Sequence, residues 1–362
     1  MSKKFSRVNG MQHIGIAVSN MDVMLPLYRK LFGLDIPFFD SVQPAPLMDV
    51  YTRNQTITKR ASMVINLQGG CAMEVIQPTS FVPIGNKQSF QWGDIGINAV
   101  VMKSRDVHRS HQVVSELVNT CYPMEERLDG RAVFSLKDPD GNIFQFTSDE
   151  NWYTNNGHHS GGVLGCVMGV SDMDKSLRLY ADLLGFDQKV WDETGVFMDW
   201  KHLPAGDQKY RRVLLTASKP TGGGFAKVTG KNYIELVQPL DRTPNKIFKG
   251  RIWGDLGFVH LGLDVKGMTE LGENLAKKGF PFTCDSSSAL SMGKTKVHCV
   301  YIDDPDGILI ELIEVYKVPI MEKWGIFLNV EKRDPLKPLP DFMLKALRFS
   351  RIKDGSSSAL FL

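Results

Sequence analysis

Cysteine is scarce in this chain. There are five in 362 residues, at 71, 121, 166, 284 and 299, and no two of them form a C-x-x-C pair. Their odd number and wide scatter exclude a disulfide scaffold and fit reduced thiols in a cytoplasmic protein. The opening stretch MSKKFSRVNGMQH has no apolar core, so no export leader of the usual kind is expected. No apolar run is long enough to span a bilayer, and no membrane partner is expected. Charge of one sign is lacking too: 43 Lys and Arg oppose 40 Asp and Glu, a formal charge of +3. With no basic run and no aromatic–basic ladder, nucleic acid is not an expected partner. No G-x-G-x-x-G follows a strand, the GGG at 222–224 reads as a hairpin loop, and neither a P-loop nor a nucleophile elbow occurs. Dinucleotide chemistry, nucleotide hydrolysis and α/β-hydrolase chemistry lose their usual signatures.

What is present is an ordinary soluble composition, 43% hydrophobic and 23% charged, with material for one large or two ordinary domains. It is also repetitive. HIGIAVSNMDVMLPLYRKLFGLD (13–35) lines up without gaps with GCVMGVSDMDKSLRLYADLLGFD (165–187). Each reads as an apolar strand, a helix and a Gly stop, with Asn20 and Asp172 as helix N-caps. WGDIGINAVV (92–101) likewise matches WGDLGFVHLG (253–262). Both copies of this second kind run on to a D-P-D-G turn between strands, FSLKDPDGNIFQFTS (134–148) and VYIDDPDGILIELIE (300–314). Four strand–helix–strand–strand–strand repeats result, at 9–80, 90–152, 160–242 and 252–316. The chain then divides into residues 1–152, a linker at 153–161, a second pair of repeats at 162–316, and an extension at 317–362 with one helix in PDFMLKALRF.

These repeats resemble the βαβββ modules of the vicinal oxygen chelate superfamily, which includes glyoxalase I, extradiol dioxygenases, methylmalonyl-CoA epimerase and bleomycin-resistance proteins. The resemblance covers about residues 9–316 and rests on H-I-G-I-A-V with its helix, the two D-P-D-G hairpins and the E-V-I-Q and I-E-L-I strands. It implies an α+β fold with four βαβββ modules, in two cupped mixed sheets with helices outside, and a metal inside a cup.

Strand alternation selects the residues that face such a cup. His13, Gly15 and Ala17 share one face of the first strand; Ile14, Ile16 and Val18 share the other. His260, Gly262 and Asp264 repeat the pattern in the fourth repeat. The last strand of each repeat carries one polar residue in an apolar run: Glu74, Gln145, Glu235 and Glu311. A buried carboxylate without a partner is costly, so pairing or metal ligation is expected. Each repeat thus offers two positions: His13 and Glu74, Ala99 and Gln145, Gly165 and Glu235, His260 and Glu311. Pairing the first repeat with the fourth completes one site, His13, Glu74, His260 and Glu311, and leaves the other cup without histidine. Sequential pairing would instead offer Glu235, His260 and Glu311.

The complete set looks like the glyoxalase I metal site. Two imidazoles and two carboxylates suit one divalent ion: Zn, Ni, Co, Mn or Fe. Such an ion polarises a carbonyl and eases loss of the adjacent proton. The resemblance points to Glu311 as the principal base and Glu74 as the group that returns the proton. The expected activity is a metal-dependent isomerase, epimerase or lyase acting α to a carbonyl, on a small carbonyl or vicinal-diol compound. The alternatives are an Fe(II) or Mn(II) extradiol dioxygenase, which the extra carboxylate disfavours, and a metal-free binding protein, which would leave the four residues idle. Arg53, Lys59, Arg60, Arg211 and Arg212 are open to two readings, anion anchors or solvated charges. His108 and His111 are expected on a solvated helix face, His158 and His159 in the linker, and His202 and His298 without partners at ligand spacing; His298 is within reach of the fourth repeat's cup. A homodimer stays open as an assembly.

Overall fold

The computed structural model describes residues 5–86, 88–287, 290–292, 295–321, 326–331 and 333–352. The first repeat gives β1 (Arg7–Ala17), α1 (Met21–Phe32), β2 (Ile36–Pro44), β3 (Thr58–Ile65) and β4 (Ala72–Pro78). The second gives β5 (Gly96–Ser104), α2 (Val107–Ser115), the short β6 (Thr120–Cys121) and β7 (Glu125–Glu126), β8 (Ala132–Lys137) and β9 (Ile143–Ser148). The third gives β10 (Ser160–Gly169), α3 (Met173–Leu177), β11 (Gln188–Gly195), β12 (Tyr210–Thr216), α4 (Ala226–Thr229) and β13 (Tyr233–Pro239). The fourth gives β14 (Gly257–Lys266), α5 (Met268–Lys277), β15 (Cys284–Asp285), β16 (Leu290–Met292), β17 (Thr295–Asp303) and β18 (Leu309–Met321). The extension adds β19 (Ile326–Asn329) and α6 (Asp341–Ala346); its last residues, 353–362, lie outside the described residues.

Local signals place the helices. Asn20 caps α1 by accepting the Asp22 N–H at 2.9 Å, and Asp172 and Asp106 cap α3 and α2 in the same way. Gly33 ends α1 at φ +62°, a conformation that costs glycine least, and its N–H closes on Arg29 O.

The strands form two mixed sheets. One runs β15-β17-β18-β14-β1-β4-β3-β2, the other β11-β12-β13-β10-β5-β9-β8-β6. The first joins the first and fourth repeats through antiparallel β1 and β14; the second joins the middle two through antiparallel β5 and β10. Each sheet therefore takes one repeat from residues 1–152 and one from 162–316. One of the two sheets curls into a half-barrel.

The helices lie outside the cups but inside the molecule. Ile14, Ile16 and Val18 on the convex face of the first sheet share one core with Met24, Tyr28 and Phe32 of α1 and with Phe144 and Phe146 of the second sheet. Phe32 and Phe144 approach to 4.6 Å between ring centroids. Tyr28 also donates to Asp138 at 2.7 Å, in the D-P-D-G turn of the second repeat. Tyr180 repeats this bond to Asp304 at 3.1 Å in the fourth. Two buried tyrosines thus tie each odd-repeat helix to the turn that follows it in sequence.

Candidate metal centre

Pairing β1 with β14 sets His13 opposite Gly262 and Gly15 opposite His260. The parallel neighbours complete the arrangement: β4 puts Glu74 beside Gly15, and β18 puts Glu311 beside Gly262. Each imidazole lies over the glycine of the other strand. A Cβ on Gly15 would stand 2.3 Å from His260 Cε1, and one on Gly262 2.3 Å from His13 Cε1. The small residues next to the histidines are therefore required by the approach of the opposing rings.

The four side chains converge. His13 Nε2 and His260 Nε2 are 2.9 Å apart. Glu311 Oε2 lies 3.2 Å from His13 Nε2 and 3.5 Å from His260 Nε2. Glu74 Oε2 lies 3.3 Å from His260 Nε2 and 3.8 Å from His13 Nε2. One donor atom from each residue falls within 4.8 Å of all the others. The histidines are fully buried, and Glu74 and Glu311 are 2% and 4% exposed.

The electrostatics separate the two carboxylates. Burial opposes ionisation of Glu74, but the Lys59 ammonium, 3.2 Å from Oε1, and the two imidazoles outweigh it and hold the carboxyl below its usual range. Burial likewise opposes ionisation of Glu311, and His13 and His260 bring its pKa down. No cation of the Lys59 kind is paired with Glu311, and its Oε2 has no hydrogen-bond donor. Burial first, then the Glu311 and Glu74 carboxylates, push the Tyr301 phenol well above its ordinary value.

This donor set fits a divalent cation. Adjacent donors on an ion with bonds of about 2.1 Å stand about 3 Å apart in octahedral geometry. The orphaned Glu311 oxygen and the close pair of imidazole nitrogens meet that spacing. His13 Nδ1 lies 3.2 Å from Gln12 Oε1, which leaves Nε2 with its lone pair toward the cluster.

The second cup holds no such cluster among the described residues. Ala99 is buried with Trp92 and Trp200. Gln145 donates to Ser135 at 3.2 Å. A Cβ on Gly165 would meet Tyr233 O at 2.3 Å. Glu235 accepts from Arg212 at 2.7 Å and from Trp191 at 3.1 Å. It stays in the second sheet, so Glu235, His260 and Glu311 do not assemble. Arg212 fills the cup, paired with Asp199 at 2.9 Å and stacked 3.9 Å from the centroid of Trp200.

The other candidate cations are also spoken for. Arg60 binds Asp22 and Asp40, and Arg211 makes the same contacts to Asp174 and Asp192. Arg53 donates to Gly250 O at 2.9 Å. Of the two readings open for Lys59, anion anchor or solvated charge, the first holds, and the anion is the protein's own Glu74 on the neighbouring strand, a partner that the sequence did not name. His298 meets Asp285 at 2.6 Å and His202 meets Glu125 at 3.0 Å, both away from the cluster. His111, expected to be solvated, is half-buried edge-on to Phe134 at 4.9 Å. His158 and His159 are docked, stacked at 4.4 Å.

Residues 162–312 match the sequence profile of the Glyoxalase/Bleomycin resistance protein/Dioxygenase superfamily. That stretch, which carries the third and fourth repeats, belongs to the superfamily. Among solved structures, glyoxalase I from Zea mays superposes with a TM-score of 0.54 at 13% identity, over 86% of this chain and 92% of that one. A putative dioxygenase from Bacillus subtilis superposes with a TM-score of 0.57 at 15% identity, over 85% and 86%. At these identities the likeness establishes the glyoxalase fold across both sheets. No curated protein matches the sequence. The profile spans β10 to β18, and so includes His260 and Glu311 but not His13 and Glu74.

Proposed function

We propose that the whole chain is a member of this superfamily and a divalent-metal-dependent isomerase, epimerase or lyase that moves a proton α to a carbonyl of a small molecule. The observation that carries the reading is the buried convergence of His13, Glu74, His260 and Glu311. These four side chains would hold a divalent cation, which would supply positive charge to polarise a substrate carbonyl. Glu311 Oε2, free of hydrogen-bond donors, takes the α-proton, and the electron pair of that C–H bond moves toward the carbonyl oxygen. Glu74, held ionised by the Lys59 ammonium 3.2 Å from its Oε1, relays a proton from that ammonium to carbon, and exchange with solvent afterwards returns a proton to Lys59 and takes one from Glu311. Gln12 holds the tautomer of His13, and burial keeps bulk water from the reacting carbon.

Metal analysis of the purified protein tests the site. Wild type is expected to carry about one divalent ion per chain, and His13→Ala and His260→Ala to lose it, while Glu235→Ala retains it. Proton NMR in D₂O tests the reaction: 2-oxo compounds that chelate metals should exchange their α-proton only with the loaded wild type. Full metal content in both histidine variants sinks the site. Oxygen uptake with catechols, in place of exchange, sinks the reaction in favour of ring cleavage.

A further inference from the structure

An open cleft with about 160 Å³ of internal volume lies on the face of the first sheet that carries the cluster, walled by that sheet, the glycine-rich loop of the third repeat and the C-terminal extension. That volume suits a slender molecule whose end reaches out of the open mouth. Its inner end is lined by strand residues that pair with, or lie two positions from, the four converging side chains. Ala72, in its wall, pairs with His13, Met63 pairs with Glu74, and Ile313 follows Glu311 by two residues on β18. From there the walls are apolar, with Ile65, Phe225, Val228, Val297 and Leu339 among them.

The outer end is different. Arg333 and Lys337 of the extension line it. Neither has a carboxylate partner among the described residues. Arg333 Nη2 reaches only the carbonyls of Lys337 and Pro338, at 3.3 and 3.4 Å. The remaining charges at the wall are occupied or remote. Lys266 pairs with Glu314 at 3.2 Å. Asp334 accepts the Leu336 N–H at 2.9 Å, inside its own turn. Asp264 sits against the glycine loop, where a Cβ on Gly223 would stand 2.0 Å from its Oδ2.

We propose that this cleft binds an elongated apolar molecule with an anionic head, the head held by Arg333 and Lys337 and the apolar body lying toward the His13–Glu74–His260–Glu311 cluster. The proposal names the substrate class of the reaction inferred above and rests on that reading only for the chemistry, since binding itself requires no metal. Carboxylate and phosphate heads share the recognition, as both accept from guanidinium and ammonium groups.

Calorimetric titration of the metal-free full chain tests this with decanoate, decyl phosphate, decanol and acetate. Decanoate or decyl phosphate should bind at least about tenfold more tightly than decanol, with acetate showing no binding. The tighter of the two anions identifies the head group. Arg333→Gln should bring the anion down to the decanol level and leave decanol unchanged; Lys337→Gln should move it the same way. Equal affinity for decanol and both anions in wild type overturns the anionic head. Absence of binding by every ten-carbon probe overturns the cleft. Metal content, measured on the same proteins as purified and before the ion is removed for titration, reports separately: a normal ion load without ligand binding rejects this substrate class and leaves the proposed reaction standing.

Discussion

At the scale of single residues, Lys59 deserves the first test because it makes two otherwise similar glutamates different. Its ammonium is 9% exposed by residue, faces Glu74 and lies 4.9 Å from the centroid of Trp253. Removing one partner of a buried ion pair strands the other, at a cost of about 3–5 kcal/mol. Lys59→Met is therefore expected to lower the stability of the metal-free protein by about 3 kcal/mol, with the deficit shrinking when a divalent ion is added. Urea unfolding with and without metal measures both. Unchanged stability in the metal-free protein would show that Glu74 does not depend on this cation. Much of this site was readable before any coordinates. Alternation put His13 and His260 on the same kind of face, and the repeat register supplied Glu74 and Glu311. The partner of Lys59 was not readable, because a long side chain reaches across a hairpin to a carboxylate that no spacing rule connects to it. Arg212 stayed open between anchor and solvated charge for a related reason: a charge in a strand looks solvated until the carboxylates and aromatic rings around it are known.

At the scale of elements, β1 and β14 work by mutual accommodation. Each leaves out a side chain where the other places an imidazole. Gly15→Ala and Gly262→Ala are expected to displace the facing ring and weaken metal binding at least tenfold, read by competition with a chromophoric chelator; an affinity equal to wild type would contradict the packing described. The helix–turn ties make a second element-scale prediction. Burial, only partly countered by hydrogen bonds from Asn142 and Tyr28, pushes the Asp138 carboxyl up to about 6; Asp304 is likewise pushed up to about 6. A carboxyl whose folded pKa is raised holds its proton more tightly in the native state. Its contribution to stability is full below about pH 4 and is lost as pH rises through about 6. Two units correspond to about 2.7 kcal/mol as an upper bound. The stability difference between wild type and Asp138→Asn should therefore tilt toward the variant from pH 4 to pH 7, as followed by chemical denaturation. A difference independent of pH would mean the aspartate titrates normally. The D-P-D-G turns themselves were plain in the sequence, with Gly141 and Gly307 both at φ +87°. The tyrosine contacts were not, since Tyr28 reads simply as part of an apolar helical stripe.

At the scale of the whole molecule, one sheet carries the candidate centre and the other sets Arg212 among the rings of Trp191, Phe197 and Trp200. The extension joins them: Leu339 donates its N–H to Gly224 O at 2.9 Å, and Lys227 pairs with Asp341 at 2.6 Å. Leu339 is 2% exposed. Leu339→Asp buries a carboxylate against Val228 and Leu344, and should cost about 2–4 kcal/mol and open the cleft wall. Thermal melting checks the first effect, and weakened decanoate binding the second. An unaltered melting temperature would place the extension outside the cooperative fold. The outer-with-outer arrangement of repeats was one of two pairings that counting histidines left open, and the one it favoured; the strap over the cleft was not foreseen, because nothing in the residues after 316 says which surface they will cover.

The two imidazoles that touch are separated by 247 positions along the chain. A ribosome must therefore deliver every residue from 13 to 311 before the four side chains can meet, and any fragment cut short of Glu311 lacks one of them. On the proposed reading an ion load certifies that synthesis has passed that point, and a contact so distant in sequence is slow to form, which leaves the first strand waiting unpaired in the nascent chain.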